Sequence, residues 1–299
     1  MKKYVAIALT LILTAAAWAA PGASSSSAPV QQPAAAPAQQ PAAAGARPPQ
    51  AKTQAELGDY TAVIQNGDLA AAEAGADAFA AKYTDSELTG HLYIALQRKY
   101  QGANNAEKTV DAGRKALKYL PDNPMALVTT ATVIAERTRD SDLDRDERQD
   151  ESIKYALHSL ETMDAGLTLG ANLPPEQLAQ IKNVLRSMAY AVMGVVYLNK
   201  KDYSVAEENF RKAADANPAS PDPYVFYRLS LAQDHQKKYA DALKAVNRCL
   251  ELAAADDPVV PMAKQEQSRL SKLVGAPAPA APSTPPSQPT PQTPPPPGK

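Results

Sequence analysis

The sequence has few of the residues that usually carry covalent or metal chemistry. Its 299 residues include one cysteine, three histidines and one tryptophan. The lone Cys249 excludes an intrachain disulfide and stands where a small buried side chain is expected, which favours an inert thiol. His91, His158 and His235 do not form the closely spaced pairs of helical metal sites. We therefore expect no metal and no other cofactor.

Blocks of one charge sign and catalytic motifs are also absent. The 31 basic and 32 acidic side chains are interspersed, with a net charge of −1, so the basic footprint of a nucleic-acid-binding protein is missing. The chain contains no phosphate-binding glycine loop, no Gly-x-Ser-x-Gly elbow and no Cys-x2-Cys pair. The sequence therefore predicts neither an enzyme nor a nucleic-acid partner.

Residues 1–19 have the three parts of a secretory signal peptide. Lys2 and Lys3 precede an apolar run over 4–17, and Ala17-Trp18-Ala19 forms a cleavage pattern. The run is rather short for a membrane span, so an uncleaved anchor is the weaker alternative. No cysteine lies near the cut, which argues against a bacterial lipid anchor. We expect a periplasmic or secreted protein with no integral membrane span after cleavage.

Two segments of low complexity flank the remaining chain. Residues 20–51 are rich in Ala, Pro and Gln, residues 275–299 are rich in Pro, and together they hold most of the 27 prolines. Such segments bury too little apolar surface to offset the entropy of ordering, so both are predicted to be disordered or polyproline-like. We favour a spacer role over a ligand for a proline-binding groove. The folded domain is predicted over 52–274.

The stretch 187–220 has the pattern of one helix–turn–helix unit. A small residue, Gly194, lies among large ones on the first helix, and Phe210 lies between small ones on the second. A polar turn separates the two helices, and Pro218 ends the unit because proline cannot continue a helix. The residues that carry the pattern are Tyr190, Met193, Gly194, Tyr197, Ala206, Phe210, Ala213 and Pro218. This stretch resembles the tetratricopeptide repeat (TPR), a unit of about 34 residues.

Two further units follow the same spacing. Residues 90–123 depart from the repeat at Gln97, where glycine is expected, and at Gly113, where an aromatic residue is expected. Residues 223–256 follow after Pro221 and Asp222, which form a two-residue insertion between units. The matching residues are Tyr93, Leu96, Tyr100, Thr109, Ala116 and Pro121 in the first unit, and Phe226, Leu229, Ser230, Val246 and Cys249 in the second.

The rest of the domain is predicted to hold weaker units. Helices are expected over 56–65, 69–83 and 152–163, a long helix begins at Pro174-Pro175 after a loop over 164–175, and a polar terminal helix covers 258–274. The resemblance and the periodicity together predict an all-α fold. This fold is an α-solenoid of four to five antiparallel TPR-like hairpins with disordered Pro/Ala-rich termini.

A charged insertion over 136–151 interrupts the second weak unit. Its acids fall at offsets similar to an EF-hand calcium loop, but Arg145 occupies the position of the required glycine. We favour a solvated loop between helices over a calcium site. The acids concerned are Asp140, Asp142, Asp144, Asp146 and Glu151.

The resemblance implies a binding groove, because the first helices of TPR units line a concave face. The residues one step from the packing positions are His91, Ile94, Arg98, Met125, Val128, Thr132, Met188, Ala191, Val195, Tyr224, Tyr227 and Leu231. They are mostly apolar, and the set of lysines and asparagines with which some family members clamp a carboxylate is missing. The alternative is that these residues are buried against the long helix or the insertion.

The function predicted from the sequence is therefore that of a non-enzymatic adaptor or scaffold of the cell envelope. It would bind apolar peptide or protein segments in the concave groove. The alternatives are an accessory subunit or calcium-dependent binder that uses the 136–151 insertion, and a structural spacer.

Overall fold

Eleven α-helices follow one another in the described residues, 49–167 and 173–275, of this computed structural model. They form five consecutive hairpins and a terminal helix. The helices are α1 (Gln54–Gln65), α2 (Leu69–Lys82), α3 (Thr89–Gly102), α4 (Ala106–Tyr119), α5 (Pro124–Arg137), α6 (Arg145–Thr162), α7 (Pro175–Asn199), α8 (Tyr203–Ala216), α9 (Pro223–His235), α10 (Tyr239–Leu252) and α11 (Val259–Gly275).

The packing order is that of a solenoid. Each helix packs against the next along the chain. First helices of neighbouring hairpins also touch, as in the pairs α5–α7 and α7–α9, and α9 touches the terminal helix α11. One hairpin cannot bury its apolar face alone, so neighbouring hairpins share three buried apolar clusters in the described part of the chain. The predicted all-α, TPR-like solenoid is confirmed, with five hairpins in the described part of the chain. None of the helices described there is long and apolar enough to cross a membrane.

The three units with the clearest sequence pattern share one turn geometry. Asn104, Lys201 and Lys237 each follow a first helix and have φ of 56°, 62° and 61°. In each turn the next residue donates its backbone N–H to the carbonyl five residues back, from Asn105 to Tyr100 for example, at 2.9 Å. This bond closes the helix end in a left-handed C-terminal cap.

The two helices of a hairpin cross where a small side chain faces a large one. At Gly194 an added Cβ would lie 2.6 Å from the Phe210 ring, so only glycine fits beside that phenylalanine. In the unit 90–123 the sizes are exchanged, since Gln97 fills the space over Gly113 and donates to Thr130 Oγ1 at 2.9 Å. The two departures of that unit from the repeat therefore compensate each other.

The loop part of the charged insertion is shorter than predicted. Helix α6 begins at Arg145 instead of at 152, so the prediction of a solvated loop is wrong for 145–151. Acids in the first turn favour a helix N-terminus, and the extra turns bury Gln149. Glu151 receives two hydrogen bonds from Arg114 of α4, at 3.0 and 2.6 Å. An EF-hand loop cannot form over residues that are helical.

The other boundaries agree closely with the sequence predictions. Helix α7 begins at Pro175 with Pro174 as its cap, and α11 buries Val259, Ala263 and Leu270 against the preceding hairpin. Cys249 lies in the same core with no exposed surface, and burial raises the pKa of its thiol to about 11. This placement confirms that the thiol is buried, and a buried thiol with a raised pKa is expected to be inert.

The signal peptide and the two flanking segments lie almost entirely outside the described residues. They remain predictions from the sequence.

Candidate functional site

An open pocket of about 350 Å³ lies between the first helices α5, α7 and α9. The turn before α9 and the turn before α11 complete its rim. Its lining residues are Thr132, Ala135, Glu136, Val184, Ser187, Met188, Ala191, Val192, Val195, Asn217, Ser220, Pro221, Asp222, Pro223, Tyr224, Val225, Arg228 and Asp257.

The floor of the pocket is a stripe of apolar side chains on α7. Met188, Ala191, Val192 and Val195 recur at helical spacing and therefore share one face. Met188 and Ala191 are half-buried, whereas Val192 and Val195 are 3% and 8% exposed. Helix α7 has 25 residues, and Val184, from the part that precedes the stripe, also lines the pocket. The floor can accept apolar side chains.

The rim of the pocket is built by the insertion between the last two units. Asp222 caps α9, where its carboxylate accepts a hydrogen bond from the backbone of Tyr224 at 2.9 Å, and Pro223 opens the helix. Asp257 plays the same part before α11 and accepts from the backbone N–H of Val259 at 2.9 Å. Both carboxylates are thus held in place by the ends of helices.

The charges of the pocket are unequal. Three carboxylates, those of Glu136, Asp222 and Asp257, share it with one guanidinium, that of Arg228. Arg228 reaches from α9 to α5 and donates to Glu136 at 3.0 Å. No ion pair within the described residues involves Asp222 or Asp257. The pocket is acidic at the end formed by the α9 and α11 turns.

The pKa values in the pocket reflect its partial burial. Burial raises the pKa of Asp222 above its ordinary value, although its bond from the Tyr224 backbone and the nearby Arg228 act in the opposite direction. Burial, together with neighbouring Asp257, raises the pKa of the Tyr224 hydroxyl to about 12. A desolvated carboxylate such as Asp222 is stabilised in its charged form when a cation approaches it.

Five of the predicted groove residues meet in this pocket. Met188, Ala191 and Val195 lie on its floor, and Tyr224 lies on its rim. Thr132 of α5, predicted for the same groove, also lines it.

The other predicted groove residues lie elsewhere. Met125 and Val128 are 9% and 0% exposed and belong to the core that α5 shares with α6 and α7. For these two residues the alternative prediction, burial against the long helix, is therefore correct. Tyr227 packs on the core of α10 and α11, and Leu231 is half-buried outside the pocket.

The predicted residues on α3 do not line this pocket. Ile94 is buried in the core of the first two hairpins, and half-buried His91 has a pKa lowered by burial. Arg98 is exposed and its guanidinium contacts the sulfur of Met125. The groove is therefore not one continuous apolar stripe.

The acidic insertion forms a polar cleft that is separate from the pocket. Some charges of the insertion pair with each other or with the turn after α7, as in Arg145–Asp146 at 2.9 Å and Lys200–Asp150 at 2.8 Å. Among the described residues, no group of three or more His, Cys, Asp or Glu side chains is arranged to hold a metal. Nothing in this cleft favours the calcium alternative.

The repeat pattern of the sequence did not indicate the polar half of the pocket. Glu136, Asp222, Arg228 and Asp257 were not among the predicted residues, and they come from three separate parts of the chain. The available signal was the insertion of Pro221 and Asp222, because an insertion between repeats is exposed at the surface of a solenoid.

No protein-family model and no curated protein matches the sequence. Among solved structures, pilF of Pseudomonas aeruginosa is 18% identical, with a TM-score of 0.49 over 74% of this chain and 86% of that chain. A thermophilic TPR protein of Thermus thermophilus, TTC0263, is 12% identical, with a TM-score of 0.42 over 73% and 98%. The type IV pilus biogenesis factor PilW is 16% identical, with a TM-score of 0.45 over 74% and 93%. At these levels the likenesses do not identify a function for this chain.

Proposed function

We propose that this TPR-like solenoid is a non-enzymatic interaction scaffold of the cell envelope. It holds an apolar segment of a protein partner in the pocket between α5, α7 and α9. The observation that carries the proposal is the open apolar floor that α7 gives the pocket. Met188 and Ala191 of this floor are only half-buried by the rest of the chain.

The size and shape of the pocket fit this role. Its volume of about 350 Å³ is at the low end of the range of about 300–1,000 Å³ that is usual for ligand sites. It opens to solvent at the surface of the stack, where side chains of a second polypeptide can enter while the backbone of that polypeptide remains outside. Apolar anchors of this kind supply most of the affinity in peptide recognition.

The polar groups of the pocket are engaged in structural bonds, which supports a non-enzymatic role. The Ser187 hydroxyl donates to the Ala213 carbonyl at 2.8 Å, and Asp222 and Asp257 cap helices. A nucleophile paired with a general base is the usual requirement for covalent catalysis, and no such pair lines the pocket.

The envelope location rests on the sequence of residues 1–19. The charged start, the apolar run and the Ala17-Trp18-Ala19 pattern are typical of an export signal. The Ala- and Pro-rich segments on both sides of the solenoid suit a spacer that lets the binding domain reach a partner.

Photo-crosslinking in the native cells tests the proposal. A photoreactive residue at Ala191 is expected to give a discrete crosslinked partner. The same residue at Leu157, which is 46% exposed on α6 and outside the pocket, is expected to give none. Equal products at both positions, or none at Ala191, would contradict binding in the pocket.

A blocked pocket provides the second arm of this experiment. In the Ala191→Trp variant the indole fills the floor, so the crosslink from a photoreactive residue at Met188 should disappear. Leu157→Trp is the matched control and should leave it unchanged. Thermal melting of both variants verifies that the fold is retained.

A further inference from the structure

The pocket combines an apolar floor with an excess of negative charge, and this combination specifies the chemistry of its ligand. We infer that the pocket selects a segment in which a lysine or arginine lies next to the apolar residues. The cation of that residue lies between Asp222 and Asp257. The inference rests on the proposed function and adds the charge of the partner to it.

The two carboxylates are fixed in position before any ligand arrives. Each accepts a backbone hydrogen bond of 2.9 Å at the start of a helix, Asp222 from Tyr224 and Asp257 from Val259. Since an N-cap side chain accepts through one oxygen, the carboxylate retains capacity for a further donor. Asp257 also interacts with the Tyr224 hydroxyl, which places both acids beside the same aromatic ring.

The single cation of the pocket does not cancel this charge. Arg228 donates to Glu136 at 3.0 Å and lies over the Tyr224 ring, with its charged carbon 6.0 Å from the ring centre. An anionic ligand would have to break the Arg228–Glu136 pair and approach two carboxylates that lack ion partners in the described residues. A cationic ligand keeps the pair and neutralises the carboxylates.

The chain itself supplies one rival occupant, its own C-terminal tail. Residues 276–298 contain no charged side chain, and the only cation of the tail is Lys299. The tail therefore lacks a basic residue next to an apolar one. Competition by the tail is one outcome of the experiment below.

Three labelled peptides that differ at one position test the inference on the full chain. Each has the sequence Ala-Leu-Leu-Xaa-Ala with blocked ends, and Xaa is Lys, Gln or Glu. Fluorescence anisotropy should show the Lys probe binding about five- to tenfold more tightly than the Gln probe, as expected for one or two partly exposed ion pairs. The Glu probe should bind most weakly. Added salt should weaken only the Lys probe.

Substitution of both acids by asparagine separates charge from structure. Asparagine caps a helix as well as aspartate does, so Asp222→Asn with Asp257→Asn keeps the turns and removes two charges. The preference for Lys should disappear while the affinity for the Gln probe stays. Asp202→Asn is the matched control, because Asp202 caps α8 outside the pocket by accepting from the backbone N–H of Val205 at 3.3 Å. This variant should behave like the native chain.

The outcomes distinguish this inference from the function on which it rests. Equal affinity for the Lys and Gln probes, or a Lys preference that survives in the double variant, overturns the inference and leaves binding of apolar segments intact. Binding of all probes that is unaffected by Ala191→Trp contradicts the proposed pocket itself. No binding of the Lys probe, or its displacement by a tighter synthetic peptide of residues 276–299, also overturns the inference.

Discussion

At the scale of single residues, the contact between Gly194 and Phe210 sets the distance between two helices. Replacing Gly194 by alanine would place a Cβ 2.6 Å from the ring, so a shift of the ring or of the backbone is required. We expect Gly194→Ala to lower the free energy of unfolding by about 1–3 kcal/mol, the usual cost of overpacking. Denaturant unfolding followed by circular dichroism measures the change.

Two further substitutions identify the cause of that loss. In a Phe210→Leu background the ring is gone, and the additional cost of Gly194→Ala should largely vanish. Gly58 lies in α1 with nothing within 4 Å of an added Cβ. Gly58→Ala should therefore stabilise the chain, by about 0.5–1 kcal/mol, because alanine has the higher helix propensity. A similar loss at both glycines would contradict the packing explanation.

The left-handed turn residues provide a second prediction at this scale. Lys237 has φ of 61°, a conformation that disfavours every side chain with a Cβ. Lys237→Gly should raise the free energy of unfolding by about 0.5–1 kcal/mol, whereas Lys244→Gly, within α10, should lower it by about 1 kcal/mol. Thermal melting shows whether each variant is more or less stable than the native chain. If both variants were less stable, the turn at Lys237 would not be strained.

At the scale of elements, a buried carboxylate connects α8 to the following hairpin. Glu207 is 6% exposed, and its carboxylate accepts hydrogen bonds from four side chains. Burial alone would raise its pKa, but these bonds outweigh burial and lower the pKa from 4.5 to about 2. The donors are Lys238, Arg211, Gln233 and Gln236.

This network predicts acid sensitivity of the contact between the units 187–220 and 223–256. Because the pKa is lower in the folded state, the stabilisation is present above pH 4.5 and is lost as the pH falls toward about 2. The loss is on the order of 3 kcal/mol. Urea titrations over this pH range should show the decrease in the free energy of unfolding. The Glu207→Gln variant should lack this part of the pH dependence. Glu208→Gln, at an exposed neighbour, should leave the pH dependence as in the native chain.

At the scale of the whole molecule, export has a simple optical signature. Trp18 is the only tryptophan, and it lies within the predicted signal peptide. Protein purified from the envelope should therefore show tyrosine emission and no tryptophan emission, and its mass should correspond to a chain that begins at Ala20. A tryptophan band in that material would show that residues 1–19 are retained.

Much of the helical architecture was predictable because its causes are local. Helix periodicity, caps and prolines act over a few residues, so the units 90–123, 187–220 and 223–256 and the start of α7 at Pro175 followed from the sequence. The start of α6 was missed by seven residues, since its charged first turns look like a loop until Gln149 is buried by neighbouring helices.

The pairing of Gln97 with Gly113 shows a limit of reading positions one at a time. Each residue alone looks like a defect of the repeat. They are compatible only together, because the side chain of Gln97 fills the space that Gly113 leaves empty across the hairpin. Such compensation depends on the distance between two helices, which no single position encodes.

The sequence by itself determined that this chain is a stack of helical hairpins with an apolar stripe on its first helices. Only the tertiary structure decided which part of that stripe is open, since Val128 is covered completely by the core while Ala191 is not. It also brought Asp222 and Asp257 to one pocket, although a whole repeat separates them. The physical reason is that exposure and charge density depend on how neighbouring units stack, and contacts between distant residues set that stacking.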